Sequence, residues 1–321
     1  MRRLFRSVTL LLLGAACAFG AQQSLSPANA NDYVNRGVIK FNSGDYEGAI
    51  ADYNTALTLN PRLPEAYVNR GNVRKVKGDI SGAIADYDMA IGIDPSKAQA
   101  FYNRGDARQA AGDLDGALED YNKAIALDSN LALAYANRGL IWFSKGKASE
   151  ALADVNKALS LDPRLAGAYH NRGVIKYARG DAGGALVDFD KALSLDPKLA
   201  MAYNDRGLIK QDRGDLKSAL EDFDKAIKLN PRLTVAYNNR GHARQEKGDY
   251  DKAIEDFNKA IELDPRLALA YANRGLAYLS KGRELDAQKD FETATMIDPT
   301  MKDALNQRIK EVRQQRLRKT R

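Results

Sequence analysis

Glycine recurs at Gly37, Gly71, Gly105, Gly139, Gly173, Gly207, Gly241 and Gly275, and every interval is 34 residues. A second glycine series runs seven residues later, from Gly44 to Gly282. Alanine keeps the same period from Ala49 to Ala287 and again from Ala56 to Ala294. Proline closes the unit at Pro61, Pro95, Pro163, Pro197, Pro231, Pro265 and Pro299, and only Ser129 breaks that series. Eight units therefore start at residues 30, 64, 98, 132, 166, 200, 234 and 268, with no insertion or deletion. A strict period of this length means one supersecondary unit repeated, each copy needing its neighbours to bury its apolar face. The 321 residues then form one stacked array over 30–301, not the two domains that length alone suggests.

Positions within the unit are numbered here from 1 to 34. Positions 17, 20, 21, 24, 27 and 28 follow the spacing of one helix face. In the third unit they are Leu114, Ala117, Leu118, Tyr121, Ala124 and Ile125. The glycine at position 15 suits the left-handed residue that ends a first helix, A. Aspartate at position 16, present in six of eight units, suits the N-cap of a second helix, B. The proline at position 32 stops helix B, because the residue before a proline is pushed out of the α region. Beyond the last unit, Met301, Leu305, Ile309 and Val312 continue a helical stripe. A capping helix over Thr300–Arg316 and a frayed basic tail over Leu317–Arg321 are expected there.

The unit resembles the tetratricopeptide repeat. An aromatic holds position 4 (Tyr33, Tyr67, Phe101, Tyr135, Tyr169, Tyr203, Tyr237, Tyr271), with glycine at 8 and alanine at 20. Position 24 is aromatic in seven copies, with Val155 the exception, and alanine and proline follow at 27 and 32. The match covers residues 30–301. The resemblance implies an all-α, right-handed superhelical α-solenoid of tandem helix pairs with a C-terminal capping helix over 302–321. It also implies that helix A lines a concave groove that binds a partner protein or an extended peptide.

Position 6, which by resemblance faces the groove, is Asn35, Asn69, Asn103, Asn137, Asn171, Asn239 and Asn273, with Asp205 once. An amide offers both a donor and an acceptor, which is what a peptide backbone needs. The alternative is that these asparagines cap or bridge neighbouring helices. Other groove positions vary: Val34, Val38, Leu133, Leu140, Val174, Met201, Leu208, His170 and His242 among them. Phe41, Tyr102, Phe143 and Tyr177 are candidate aromatic anchors, and His170 a candidate polar contact. The same residues could instead be packing between adjacent A helices. Chaperone-binding members of the family use a Lys and an Asn in the first unit where this chain has Val34 and Val38, so that activity is not expected.

The chain departs from the family at position 7, usually Leu, and at position 11, usually aromatic. Position 7 is arginine in all eight units, from Arg36 to Arg274, and position 23 is aspartate in all eight, from Asp52 to Asp290. A guanidinium recurring with a carboxylate points to an Arg–Asp ladder between helices rather than to anion binding, since a binding feature need not appear in every unit. Position 11 is Lys or Arg except at Trp142 and Tyr278.

The ends carry the charge. Residues 1–20 hold +3 and residues 302–321 hold +6 of a net +7, so the body is −2 and does not read as a nucleic-acid surface. Met1–Arg6 is basic and Val8–Phe19 is apolar for about 12 residues, right for an export signal and short of the ~20 a membrane span needs. Cleavage patterns end at Gly20 and at Ala30, and Leu13–Cys17 resembles a lipidation motif with Gly14 out of place.

One cysteine and two distant histidines leave no disulfide framework and no metal cluster; neither a cofactor nor a metal is expected. No phosphate loop or nucleophile elbow occurs. The RGD triplets at Arg104, Arg179 and Arg213 sit on the repeat framework and read as accidental. The expectation is a monomeric, non-enzymatic scaffold exported to a bacterial envelope. Membrane or polyanion tethering through Arg308–Arg321, or through a lipidated Cys17, is a second reading. Self-assembly is a third.

Overall fold

The computed structural model describes residues 29–319. The expected export signal, Cys17 and the pattern ending at Gly20 lie outside the described residues, as do Thr320 and Arg321. All regular structure among the described residues is helical. No helix there is long and apolar enough to cross a membrane. The chain forms two compact units, Met1–Pro95 and Ser96–Arg321.

The first holds α1 (Ala30–Ser43), α2 (Tyr46–Leu59), α3 (Pro64–Lys77) and α4 (Ile80–Ile93). The second holds the A helices α5 (Ala98–Ala110), α7 (Ala132–Ser144), α9 (Ala166–Ala178), α11 (Ala200–Asp212), α13 (Thr234–Glu246) and α15 (Ala268–Ser280). Their B partners are α6 (Leu114–Leu127), α8 (Ala148–Leu161), α10 (Ala182–Leu195), α12 (Leu216–Leu229), α14 (Tyr250–Leu263) and α16 (Glu284–Ile297). Within each compact unit, every helix A packs along its own helix B, and every B packs on the next A. This is an all-α solenoid.

The repeat residues explain the pairing. A Cβ placed on Gly241 would sit 2.7 Å from Cε1 of Phe257, inside van der Waals contact, and one on Gly173 would sit 2.6 Å from Phe189. Position 8 must therefore be glycine for the ring at position 24 to lie against helix A. Those rings are fully buried, and so are the alanines at 20 and 27. The position-15 glycines take φ between 75° and 89°, the left-handed turn that joins A to B.

Two local signals differ from expectation. Asp45, Asp79, Asp113, Asp181 and Asp215 cap helix B through their side chains, but Asp249 does not and instead pairs with Lys252 at 3.0 Å. Helix B also ends at Leu127, where Ser129 replaces the proline. The residue at position 31 explains it: the Asp128 carboxylate accepts from the Asn130 N–H at 2.9 Å, as Asp162, Asp196 and Asp264 do in their own units. This side-chain turn competes with the helix whether or not proline follows.

At the C-terminal side a 3₁₀ turn (Pro299–Met301) leads into α17 (Lys302–Lys319), which packs on α15 through Leu305, Ile309 and Val312. The helix starts two residues later and runs three residues further than the expected Thr300–Arg316. Ile309 stands 34 residues after Gly275, where each unit has its close-approach glycine. Its side chain excludes a B-type ring at that distance, so α17 covers the apolar edge of the eighth unit.

Gly241→Ala is expected to destabilise the chain by about 1–3 kcal/mol through overpacking. Gly92→Ala, where an added Cβ meets no atom within 4 Å, is expected to stabilise it by about 0.5–1 kcal/mol. The midpoint of urea unfolding followed by circular dichroism checks both signs.

Candidate functional site

The recurring charges hold the helix pairs together. In the sixth unit Arg206 Nε and Nη2 donate to the two carboxylate oxygens of Asp222 at 2.8 and 2.6 Å. Its Nη1 reaches back to Asp190 of the preceding unit at 2.7 Å. Arg138, Arg172 and Arg274 repeat this, with Asn122, Asn156 and Asn258 as the backward partners. Each position-7 guanidinium also lies over the position-4 ring of its own helix, 5.0 to 5.6 Å from the centroid. The position-11 cation lands on the same carboxylate, as Lys176 does on Asp188 at 2.7 Å. Every arginine of the series is thus engaged inside the fold.

Burial pushes the Asp188 carboxyl up, but the hydrogen bonds from Arg172 and Lys176 outweigh it and hold the group below its ordinary value. The bond from Arg36 does the same for Asp52.

The position-6 series divides. Asn239 donates to Asn204 at 2.9 Å and Asn273 to Asn238 at 3.0 Å. Asp205 pairs with His170 Nε2 at 2.7 Å. Asn137 faces the Tyr102 and Tyr121 hydroxyls, 3.4 Å from the latter. In each case position 6 meets position 5 of the unit before it. The buried Asn103 accepts from Gln99 at 2.8 Å. Asn35 is exposed, and Asn69 and Asn171 are half-buried; these three have no hydrogen-bond partner among the described residues. Opposite Asn69 and Asn171 stand Val34 and Ala136, which carry no polar atom to offer.

The aromatic candidates are anchored internally. Tyr102 lies 6.0 Å from Tyr121, and Phe143 packs into the cluster around Ile175. Tyr177 donates to Asp212, which, with burial, pushes its hydroxyl up to about 12. Phe41 is half-buried against Tyr46, 5.8 Å away. His170 also packs on Phe189 at 5.6 Å. His242 Nδ1 accepts from Gln211 Nε2 at 2.7 Å, and burial depresses its pKa.

The apolar side chains left exposed on the A helices of the second compact unit sit at position 2: Leu133, Met201, Val235 and Leu269. Reading single units could not find Val235 and Leu269; the signal is position 2 compared across units. Between α7 and α9 a cavity of about 110 Å³ is walled by Leu133, Ala136, Leu165 and Gly167, with the amides of Asn137 and Asn171 in its lining. On α17, Arg313 and Arg316 bond Glu284 of α16. Among the described residues no three His, Cys, Asp or Glu side chains are placed to share a metal ion.

Family models described as "TPR repeat" match residues 37–76, 71–112, 105–146 and 241–282. Models described as "Tetratricopeptide repeat" match 132–165, 166–199, 200–233, 223–255 and 268–301. No curated protein matches the sequence. Among solved structures, the chain is similar to one in the APC/C hetero-tetramer Cut9–Hcn1, with TM-score 0.70 and 18% identity over 87% of this chain. It spans 55% of that chain. A tetratricopeptide repeat protein from Parabacteroides merdae gives TM-score 0.61 at 20% identity, covering 77% of this chain and 98% of its own. Pseudomonas aeruginosa pilF gives 0.56 at 21%, covering 63% and 92%. At these identities the likeness is one of fold.

Asp188→Ala strands Arg172 and Lys176, whose side chains are 22% and 27% exposed. The expected loss is about 2–4 kcal/mol at neutral pH, between the values for exposed and buried pairs. Because the folded pKa of Asp188 is depressed, its contribution is present above the unfolded value of about 3.9 and is lost as pH falls through the folded one. Urea titrations should therefore show the gap between wild type and variant narrowing as pH drops below about 4.

Proposed function

The chain belongs to the tetratricopeptide repeat family, and from that premise we propose a non-catalytic scaffold that binds an extended peptide or partner protein along its A helices. Proteins of this fold serve as protein–protein interaction scaffolds. The observation that carries the finer reading is the unbonded Asn171 amide in one lining with the exposed Leu133 of the neighbouring A helix. An amide offers a backbone its donor and its acceptor, and a neighbouring apolar side chain offers area to bury. The Arg–Asp series supplies rigidity instead of a ligand site, because its donors are occupied.

A photo-crosslinking side chain placed at Met201 or Leu269 is expected to capture the partner in cells. The same group at Val187, exposed on the B helix α10, is not. Capture from Val187 alone would move the binding face to the B helices and overturn the reading.

We place the protein in the bacterial envelope, on the basic Met1–Arg6 segment followed by the apolar run Val8–Phe19. The Asn29 side chain accepts from the Asp32 N–H, and the Asp32 carboxylate accepts from the Asn29 N–H, so the two cap α1 reciprocally. Cleavage after Ala30 removes this cap, which favours processing after Gly20. Mass spectrometry of the chain from an envelope fraction is expected to give an N-terminus at Ala21; an intact Met1 in a cytosolic fraction refutes export.

A further inference from the structure

The step from α7 to α9 is built differently from the other A-helix steps of units three to eight. At the other four, a polar side chain at position 5 faces position 6 of the following unit: Tyr102 with Asn137, His170 with Asp205, Asn204 with Asn239, Asn238 with Asn273. Here position 5 is Ala136, and the Asn171 amide has no partner among the described residues. Position 2 of the fifth unit is Gly167, where the neighbouring units carry Leu133 and Met201. Packing does not demand that glycine, since a Cβ added there meets no atom within 4 Å. Alanine would be the better helix former, so helical stability does not explain it either. The two missing side chains open the cavity of about 110 Å³ beside the unbonded amide.

That volume is below the ~300–1,000 Å³ of small-molecule sites, and equals the liquid volume of about three or four waters. It suits one short side chain. Its walls carry no charge. The surroundings do: positions 2, 5, 6, 9, 12 and 13 of α5 to α15 hold Asp106, Asp205, Asp212 and Glu246, and neither Lys nor Arg. A ligand complementary to this face has a short apolar residue for the cavity and basic residues flanking it.

We infer that the α7–α9 cavity is the anchoring subsite for a short apolar side chain of a basic extended peptide, whose backbone amide pairs with Asn171. Gly167 leaves room for the peptide backbone to approach, and Asn137 lines the other side. The inference rests on the peptide-binding reading above and names where that peptide is gripped and what it carries.

The test uses the protein labelled with ¹⁵N in glycine and asparagine, titrated to millimolar Ac-Lys-Ala-Val-Ala-Lys-NH2. Saturable shifts are expected at the Gly167 amide and the Asn171 side chain. Trp in place of Val, or Glu in place of both Lys, should weaken binding at least several-fold. Asn171→Ala should weaken it by up to about tenfold, the range for one neutral hydrogen bond, with helicity unchanged. Gly167→Ala separates function from folding: it is expected to raise the midpoint of thermal unfolding while weakening binding. Unchanged binding by Gly167→Ala and Asn171→Ala overturns the inference. Shifts at Asn239 and Asn273 without Asn171 refute the subsite but leave the A-helix face standing. No shift at any A-helix residue refutes both.

Discussion

A carboxylate buried between two helices is tolerable only if its charge is answered on the spot. Every unit of this chain contains one, at position 23, and every unit answers it with the guanidinium at position 7. The geometry is bidentate, so it sets both the distance and the rotation of helix A against helix B. The same arginine leans on its own helix's position-4 ring and, in units four to eight, reaches into the preceding B helix. One side chain thus ties the pair, its own helix surface and the neighbouring unit. Glycine at position 8 lets the helices come close enough for this, by leaving space for the position-24 ring.

With that framework in place, position 5 and position 6 are free to differ from unit to unit. Where both are polar they bond to each other and stitch adjacent A helices. Where position 5 is Ala136, the following amide, Asn171, has no partner among the described residues. The face is therefore part seam and part open surface. His170 illustrates the first condition, engaged by Asp205 and by the Phe189 ring; Asn171 illustrates the second.

Much of this was legible in the sequence. The helices, their turns and the Arg–Asp pairing recur with an unbroken period, and each depends on contacts within one unit. Asp249 has the residue type of a cap but not the bond, because Lys252 competes for its carboxylate, a rivalry visible only once side chains have positions. The stop at Leu127 was hidden behind the proline series, although Asp128 carried the signal at position 31. The asparagines could not be sorted at all, because amide chemistry serves a bridge and a ligand equally well.

What the sequence by itself determined is the repeating unit: two helices, the glycines and alanines that let them close, and the charges that lock them. These follow from spacing within 34 residues, where chain geometry leaves little choice. What only the tertiary structure decided is which asparagine is committed and which is open. That depends on the side chain arriving from 35 residues earlier on a different helix, and a hydrogen bond forms only where that side chain brings a polar atom within reach.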